Sequence, residues 1–172
     1  MSVVRFRAQN HPHQTKKRGP KTNIDDRATS PELFDALNAR FRFTVDVAAA
    51  THNAKCPRYF SIADDGLLQS WAAERVWCNP PYSDIRPWVE KAWMEADHAE
   101  LIVMLLPANR TEQAWWQELV EPYRDRRIGL TVEFLAERQR FVRPGSVVDM
   151  FGRPRGAVER PPFGVCLLVW SS

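Results

Sequence analysis

The chain has 172 residues and a formal net charge of +3, with 44% hydrophobic and 26% charged residues, a composition typical of a globular domain with its own core. No apolar run approaches the roughly 20 residues that a membrane-spanning helix needs, and the first residues lack the apolar segment of a signal peptide. Three cysteines, two of them in apolar runs, exclude a disulfide scaffold, so we expect reduced core thiols and a cytoplasmic protein.

The charge is unevenly distributed along the chain. Residues 1–21 carry six basic and no acidic groups, residues 22–120 carry nine basic and fifteen acidic groups, and residues 121–172 carry nine and six. A basic tail and a basic C-terminal third thus flank an acidic middle, which suits a polyanionic partner bound beside a ligand pocket. Residues 1–28 have little to bury, so we predict a flexible basic tail whose Lys16, Lys17 and Arg18 contact phosphates. A tail that only improves solubility explains the composition equally well.

The ordered domain is expected to span residues 29–172 and to begin with a helix. Thr29 or Ser30 can cap this helix, Pro31 suits its first turn, and Glu32 completes a possible capping box. The residues that share its apolar face are Leu33, Phe34, Leu37 and Phe41.

Residues 43–47 alternate like a strand that ends near Asp46 and is followed by Ala48, Ala49 and Ala50. An acid at the end of a first strand, followed by small residues, is typical of a site that holds the polar end of a cofactor. The segment lacks the pattern Gly-x-Gly-x-x-Gly, so a closely packed helix start remains an alternative.

Residues 51–75 are irregular, and the separation of Asp46 from Asn79 is too short for a complete pair of βαβ units, so we expect an abbreviated sheet. Asp64 or Asp65 could accept hydrogen bonds from the ribose of a nucleoside cofactor, and a solvated Asp-Gly turn is the alternative. His52 and Cys56 have a ligand-like spacing, but no second pair of ligands follows, so no metal site is predicted.

The segment Asn79-Pro80-Pro81-Tyr82 follows an apolar run and is the most distinctive part of the chain. Proline cannot donate to a sheet ladder, so a buried strand should end here, at the edge of an open α/β sheet where ligands bind. The Asn79 side-chain carbonyl and the Pro80 main-chain carbonyl could accept the two N–H groups of an aromatic amine, which frees its lone pair for attack on a methyl donor. Tyr82 offers a ring on which a base stacks, and the prolines stiffen the group. An ordinary turn or a surface polyproline ligand are the alternatives.

After Tyr82 we predict a helix capped by Ser83 or Asp84, with a sheet-facing side formed by Ile85, Trp88, Val89, Ala92, Trp93 and Ala96. Residues 101–106 form a continuous apolar run ended by Pro107, typical of a central parallel strand covered on both faces. Arg110 follows this strand on the ligand side, where we expect it to contact nucleic acid. Thr111 is expected to cap the next helix.

The last third of the chain combines two strand-like segments with a basic insert. Residues 130–141 indicate strand material with a turn near Glu137, and residues 163–170 indicate a last, largely buried strand. Residues 143–162 are rich in Arg, Gly and Pro, and a loop of this length in a compact domain is usually functional or disordered. Its arginines make it the best candidate surface for nucleic acid: Arg143, Arg153, Arg155 and Arg160.

Several of these segments, in this order, resemble the phage-type DNA N-6-adenine methyltransferases, a small Dam-like family, over roughly residues 29–170. The matching blocks are TSPELFDAL at 29–37, FTVDVAA at 43–49, NAKCPRYF at 53–60, DDGL at 64–67 and VWCNPPY at 76–82. Arg27 and Ser30 depart from the family pattern, in which an aromatic residue and a proline are expected.

The resemblance implies a Rossmann-like S-adenosylmethionine-dependent methyltransferase fold, a three-layer α/β sandwich with an abbreviated, mostly parallel sheet. It implies S-adenosyl-L-methionine as cofactor and transfer of its methyl group to the N-6 amine of a flipped-out adenine in double-stranded DNA. It assigns Asn79, Pro80, Pro81 and Tyr82 to the base. It assigns Thr29, Ser30, Pro31 and Asp46 to the cofactor pocket. From the residues themselves we add Ala48, Asn79 and one of Asp64 and Asp65 to the expected cofactor contacts. A phage-encoded protein of this kind would act in the host cytoplasm and protect DNA from host restriction.

The residues themselves leave other functions open. The same four-residue group serves methylation of cytosine amines, of guanine amines in RNA and of glutamine amides in proteins. The absence of glycines after Asp46 and the short sheet also fit a non-catalytic nucleic-acid-binding protein with a vestigial pocket.

Overall fold

A six-stranded sheet lies at the centre of the protein, as seen in a computed structural model that describes residues 28–124, 129–136, 138–142, 147–148, 154–155, 158–159 and 161–171. For the strand residues between 147 and 159 the backbone alone is described. The elements in chain order are β1 (Ala28–Thr29), α1 (Pro31–Phe41), β2 (Val45–Asp46), β3 (Arg58–Tyr59), β4 (Arg75–Cys78), α2 (Arg86–Glu95), β5 (Leu101–Pro107), α3 (Ala114–Leu119), β6 (Leu130–Phe134), β7 (Phe141–Val142), β8 (Val147–Val148), β9 (Pro154–Arg155), β10 (Val158–Glu159) and β11 (Val165–Ser171).

The order of strands in the central sheet is β3-β2-β4-β5-β11-β6. β2 pairs in parallel with β3 and β4, and β4 pairs in parallel with β5. Among these six described strands β11 alone runs opposite to the others, and it pairs antiparallel with β5 and β6. The sheet is therefore mostly parallel, as predicted. β2 and β4 are adjacent, with Asp46 in register with Trp77, so the residues that follow the two strands meet at one edge of the sheet.

The connection from β2 to β4 lacks the helix of a standard parallel crossover. Residues 47–74, all of them described, contain the two-residue strand β3 and no helix. Parallel strands are usually joined through a helix that covers the sheet. On this side the sheet therefore ends in a two-residue strand, and no helix lies in the connection.

The predicted central strand is β5, and all seven of its residues are buried. Alternate residues belong to two different clusters, because side chains of a strand point to opposite faces. Ile102, Met104 and Leu106 pack in the cluster that includes residues of α2 and α3. Leu101, Val103 and Leu105 pack in the cluster that includes residues of α1. Helices therefore cover both faces of the sheet.

Helix α1 begins as the sequence predicts. Ser30 is its N-cap, with the Oγ accepting the Leu33 N–H at 3.3 Å, and Pro31 occupies the first turn. With Ser30 as cap, Glu32 falls one position too early for a capping box. The buried residues of the helix are Phe34, Leu37 and Phe41, as predicted.

The apolar face predicted for α2 is confirmed. The caps predicted for α2 and α3 are wrong. The N-caps are Ile85 and Gln113, and neither makes a side-chain capping hydrogen bond. Ser83, Asp84 and Thr111 lie outside the helices, because α2 begins with an Arg-Pro pair and α3 begins only at Ala114. No helix in the described part of the chain is long and apolar enough to cross a membrane.

The fully buried Trp71 fixes the segment before β4 against α2. Its indole N–H donates to the Gly66 carbonyl at 3.0 Å, and its main-chain N–H donates to the Glu95 carboxylate at 3.1 Å. Glu95 also accepts from the Lys91 ammonium at 2.6 Å, with both side chains 12% exposed. Burial opposes the charged carboxylate, but these donors prevail and lower the pKa of Glu95. Gly66 is therefore held in place beside the sheet edge.

The last third of the chain adds short antiparallel pairings to the buried strand β11. β7 pairs with both β1 and β10, and β8 pairs with β9. The prediction of a loop over 143–162 is therefore wrong in part, because three two-residue strands lie within it. Ala28, which we assigned to the tail, pairs with Val142. The flexible tail itself and the predicted turn at Glu137 lie outside the described residues.

Candidate active site

The carboxylate of Asp46, at the end of β2, is 3% exposed and held by two main-chain donors. Its Oδ1 accepts the Ala48 N–H at 3.3 Å and its Oδ2 accepts the Lys55 N–H at 3.0 Å. Burial raises the pKa of Asp46 from 3.8 to about 6, although both donors and the Lys55 ammonium act in the opposite direction. The carboxylate is thus fixed in orientation and sensitive to pH near neutrality.

Asp46 faces a small polar pocket at the edge of the sheet. The residues around it include Thr29, Asp46, Ala48, Asn53, Lys55 and Asn79. Thr29 is 1% exposed, and its Oγ1 has no hydrogen-bond partner among the described residues. A buried hydroxyl without a partner costs free energy of about 1–3 kcal/mol, so this pocket suits a polar ligand group. Burial also lowers the pKa of the Lys55 ammonium, against the effect of nearby carboxylates such as Asp46.

A larger cavity of about 410 Å³ adjoins this polar pocket, because Ala48 and Asn53 line both. Its wall is mostly apolar and includes Phe60, Ile62, Pro81 and Trp88. Ile62 is 99% exposed and lies at the rim. An apolar cavity with a few polar groups is the usual form of a small-molecule site.

The two neighbouring aspartates have different surroundings. Asp65 lines the larger cavity and has a positive φ of 53°. Asp64 is turned to a local partner: its Oδ2 accepts the main-chain N–H and the hydroxyl of Ser61, at 2.8 and 2.7 Å. These hydrogen bonds lower the pKa of Asp64. Asp65 also has a local partner, since its Oδ1 accepts the Leu67 N–H at 3.2 Å, but it is the member of the pair that lines the cavity.

Gly66 follows Asp65 in the cavity wall, where no side chain fits. A Cβ atom there would collide with the Val47 carbonyl oxygen and lie 3.4 Å from the Trp88 ring. The glycine thus allows the loop to approach the end of β2.

The Asn79-Pro80-Pro81-Tyr82 segment leaves β4 at the junction of the two pockets. Asn79 lines the smaller pocket, Pro81 lines the larger one, and Pro80 is buried. Tyr82 lines neither pocket and is half-buried. Its hydroxyl donates to the Leu105 carbonyl at 3.3 Å, and burial raises the pKa of its phenol. The segment is thus fastened to the neighbouring strand β5.

The Tyr82 ring lies in an aromatic group with Phe141 and Phe163. The ring centroids are 6.3 and 6.4 Å from that of Tyr82, and the Phe141 contact is edge-on, with an interplanar angle of 81°. The orientation of the tyrosine is therefore set by packing as well as by its hydroxyl.

The structure brings together part of the predicted cofactor set. Thr29, Asp46, Ala48 and Asn79 line the smaller pocket, and Ala48 and Asp65 line the larger one. Ser30, Pro31 and Asp64 line neither. Sequence reasoning missed Lys55, Phe60 and Trp88. Lys55 and Phe60 lie in the matching block at 53–60, and the short distance of this block from Asp46 in the sequence could have indicated that they belong to the same site. Trp88 was predicted only as a residue of the core.

The predicted DNA contacts are mostly beyond the part of the chain that the structure describes. Six of these residues lie outside it: Lys16, Lys17, Arg18, Arg143, Arg153 and Arg160. Arg155 lies in β9, where its backbone alone is described. Arg110 is described in full, and its guanidinium donates to the Tyr82 carbonyl at 2.7 Å. Among the described residues no cluster of His, Cys, Asp or Glu could hold a metal ion.

Comparison with known proteins identifies the family of this chain. The sequence profile of the family described as DNA N-6-adenine-methyltransferase (Dam) matches residues 16–136. A DNA N-6-adenine-methyltransferase of Escherichia phage T1 is 34% identical over 93 residues, which cover 53% of this chain and 39% of that protein. Another, of Haemophilus phage HP1 (strain HP1c1), is 32% identical over 95 residues, which cover 54% of this chain and 55% of that protein.

The matches thus span about half of the length of these curated relatives, or less. No solved structure matches the chain. The family profile starts before β1 and ends at residue 136, so β7 to β11 lie beyond it. Because the profile nevertheless covers well over half of the residues, the chain belongs to the DNA N-6-adenine-methyltransferase (Dam) family, as the resemblance predicts.

Proposed function

We propose that this protein transfers a methyl group from S-adenosyl-L-methionine to the N-6 amine of adenine in double-stranded DNA. The observation that carries the proposal is the pair of adjoining pockets, to which the Asn79-Pro80-Pro81 segment contributes on both sides. The phage T1 and HP1 relatives, both DNA N-6-adenine-methyltransferases, support the same reaction. The mostly parallel sheet with helices on both faces supports a Rossmann-like, three-layer methyltransferase fold.

The residues around the pockets fit the two ends of this cofactor. Asp46 would hold the ammonium of the amino-acid end, and Lys55 and the buried Thr29 hydroxyl would hold its carboxylate. Asp65 would accept from the ribose in the larger cavity, whose apolar wall with Phe60 and Ile62 suits a purine ring. When bound, the cofactor supplies a methyl group activated by its sulfonium.

Asn79 and Pro80 would hold the acceptor. The adenine amine is a poor nucleophile, because its lone pair is delocalised into the ring. The Asn79 side-chain carbonyl and the Pro80 main-chain carbonyl accept its two N–H groups and draw the nitrogen towards tetrahedral geometry. Both hydrogen bonds strengthen as positive charge develops on the nitrogen, so they stabilise the transition state more than the ground state.

Tyr82 would stack on the base once it is extruded from the duplex. Base–aromatic stacking contributes about 1–3 kcal/mol, and extrusion costs a few kcal/mol. The Tyr82 hydroxyl bonded to Leu105 and the ring contact with Phe141 orient the side chain before a base arrives. The basic residues of the tail and of the 143–160 segment would bind phosphates, since such contacts supply most of the non-specific affinity for DNA.

The test is DNA co-expressed with the protein, digested to nucleosides and assayed for N-6-methyladenine, with the purified protein and labelled cofactor as a second arm. We expect Asn79→Ala to lower kcat by about 100-fold or more, as for the loss of one transition-state hydrogen bond, while calorimetry still detects the cofactor. Methyl groups found on cytosine, RNA or glutamine would reassign the acceptor. Full activity of Asn79→Ala would remove Asn79 from the mechanism.

A further inference from the structure

Arg110 makes a contact that links the ends of two neighbouring strands. It follows β5, and its Nη1 donates to the main-chain carbonyl of Tyr82, 28 residues earlier in the chain, at 2.7 Å. The Arg110 side chain is partly buried. A hydrogen bond from a charged donor is roughly twice as strong as one between neutral groups. The contact is therefore able to fix the backbone to which it binds.

The backbone after Asn79 has few donors of its own. Pro80 and Pro81 have no N–H group, so this turn cannot be fastened by its own ladder. The Asp84 N–H donates to the Pro81 carbonyl at 3.2 Å, and the Tyr82 hydroxyl reaches Leu105 at 3.3 Å. Arg110 supplies the one contact at the Tyr82 carbonyl that the described residues show.

We propose that Arg110 is a positioning residue for methyl transfer, which acts by clamping the Asn79–Tyr82 turn to the end of β5. This inference rests on the proposed function. The two carbonyl acceptors of the turn, on Asn79 and Pro80, stay within the geometry that the reaction needs as long as the Tyr82 carbonyl is held. Displacement of a reacting group by about 1 Å can lower the rate by about 100-fold, so loss of the clamp lowers kcat more than substrate binding.

The competing role for Arg110 is the phosphate contact that the sequence predicts. The two roles differ in a quantity that can be measured. A phosphate contact contributes about 0.9 to the slope of log Kd for DNA against log salt concentration, whereas a clamp contributes nothing to this slope.

The experiment compares wild type with Arg110→Ala, Arg110→Lys and, as matched control, Arg124→Ala. Arg124 pairs with Glu121 at 2.9 Å on the partly exposed surface after α3, so its replacement also removes an arginine and its ion pair, but away from the Asn79–Tyr82 turn. For Arg110→Ala we expect kcat to fall by about tenfold to 100-fold, with the DNA salt slope and the cofactor Kd unchanged. Arg110→Lys keeps a donor and should recover part of kcat. Thermal melting of each variant identifies any that fail to fold. If Arg110→Ala is one of them, Arg110→Lys, which keeps a positive charge at this position, tests the proposal in its place.

A second measurement requires no turnover. Hydrogen exchange of the main-chain amides between residues 82 and 85 should be faster in Arg110→Ala than in wild type, and unchanged in Arg124→Ala. If wild type proves unable to methylate DNA, the proposed function fails, and the exchange result still decides whether Arg110 holds the turn. An unchanged kcat of Arg110→Ala, together with a salt slope lower by about one, would overturn the proposal in favour of a phosphate contact. Unchanged exchange of the amides at residues 82–85 in Arg110→Ala would also overturn it, because Arg110 would then not hold the turn.

Discussion

Asp46 accepts the main-chain N–H of Lys55, nine positions later in the chain, at 3.0 Å, and both residues line the smaller pocket. Both side chains are affected by burial: the pKa of the Asp46 carboxyl is raised to about 6, and the pKa of the Lys55 ammonium is lowered. Each group would gain from a ligand of opposite charge, because a new partner offsets the loss of solvation. A zwitterionic amino-acid group offers both partners at once.

Cofactor affinity should therefore depend on pH through Asp46. Above pH 6 the carboxylate is charged and can bind an ammonium group. Below about pH 6 it is protonated, so the affinity for S-adenosylmethionine should fall by up to about tenfold for each pH unit. Calorimetry between pH 5 and 8 measures this, and Asp46→Asn should bind weakly with little dependence on pH. A constant wild-type affinity over this range would exclude Asp46 as the ammonium ligand.

The contribution of Asp46 to the stability of the ligand-free protein should fall as the pH rises, whereas its contribution to cofactor affinity should increase. The pKa of Asp46 is about 6 in the folded protein and 3.8 as the reference value, so between these values the folded state binds more protons than the unfolded chain. The contribution of Asp46 to the free energy of unfolding then decreases as the pH rises from about 4 to 6, by at most about 3 kcal/mol. Urea unfolding should show a larger advantage of wild type over Asp46→Ala at pH 5 than at pH 7.5. An advantage that grows with pH would contradict this.

Asp64 and Asp65 provide a matched pair of substitutions. Asp65→Asn tolerates the positive φ of 53° and removes the charge from the larger cavity, so cofactor affinity should fall by about fivefold, the difference between charged and neutral hydrogen bonds. Asp64→Asn retains an oxygen that can accept from Ser61 and should leave the affinity unchanged. Calorimetry on both variants measures the contrast. Equal losses would mean that the charge of the loop, rather than a contact of Asp65, attracts the cofactor.

The contrast between these two aspartates shows what the sequence can and cannot predict. Helix α1 and strands β5 and β11 are recognisable because their apolar residues recur with a regular period and are buried accordingly. Asp46 and Asn79 are recognisable because Asp46 ends one apolar strand and Asn79 follows another, and parallel neighbours bring such residues to one sheet edge.

Partners that depend on loop conformation are not predictable in this way. Ser61 could equally have capped either aspartate, and the backbone conformation at residues 61–65 decides that it bonds Asp64. Arg110 donates to the main-chain carbonyl of Tyr82. Every residue has such a carbonyl, so the sequence cannot show which one the arginine binds. Predicting the helix caps at Ser83 and Thr111 failed for a related reason, because the chain forms a turn at these polar residues and each helix begins only a few residues later.

Tyr82→Phe should separate the hydroxyl from the ring. Loss of the hydrogen bond to Leu105 should lower the free energy of unfolding by about 1 kcal/mol, measured by urea denaturation. Methyl transfer should persist, because the ring still stacks on the base, whereas Tyr82→Ala should weaken transfer by the roughly 1–3 kcal/mol of stacking. Since burial raises the pKa of Tyr82, no loss of activity from its ionisation is expected in mildly alkaline buffer. If Tyr82→Phe and Tyr82→Ala lose methyl-transfer activity to the same extent, the ring does not contribute to binding of the base.

Gly66→Ala should lower both the stability of the protein and its affinity for the cofactor. Gly164→Ala is the control, because its effect on stability should be zero or favourable. The methyl group added at Gly66 would collide with the Val47 carbonyl, so either the loop or the end of β2 must move. Overpacking of this kind typically costs about 1–3 kcal/mol of stability, and the displaced wall should weaken cofactor binding. At Gly164 a Cβ meets no atom within 4 Å, so Gly164→Ala should be neutral or stabilising, by up to about 1 kcal/mol, through restriction of the unfolded chain. Thermal melting and cofactor calorimetry on the two variants measure the contrast, and a Gly66→Ala protein with wild-type stability and affinity would show that the loop is free to move away from Val47.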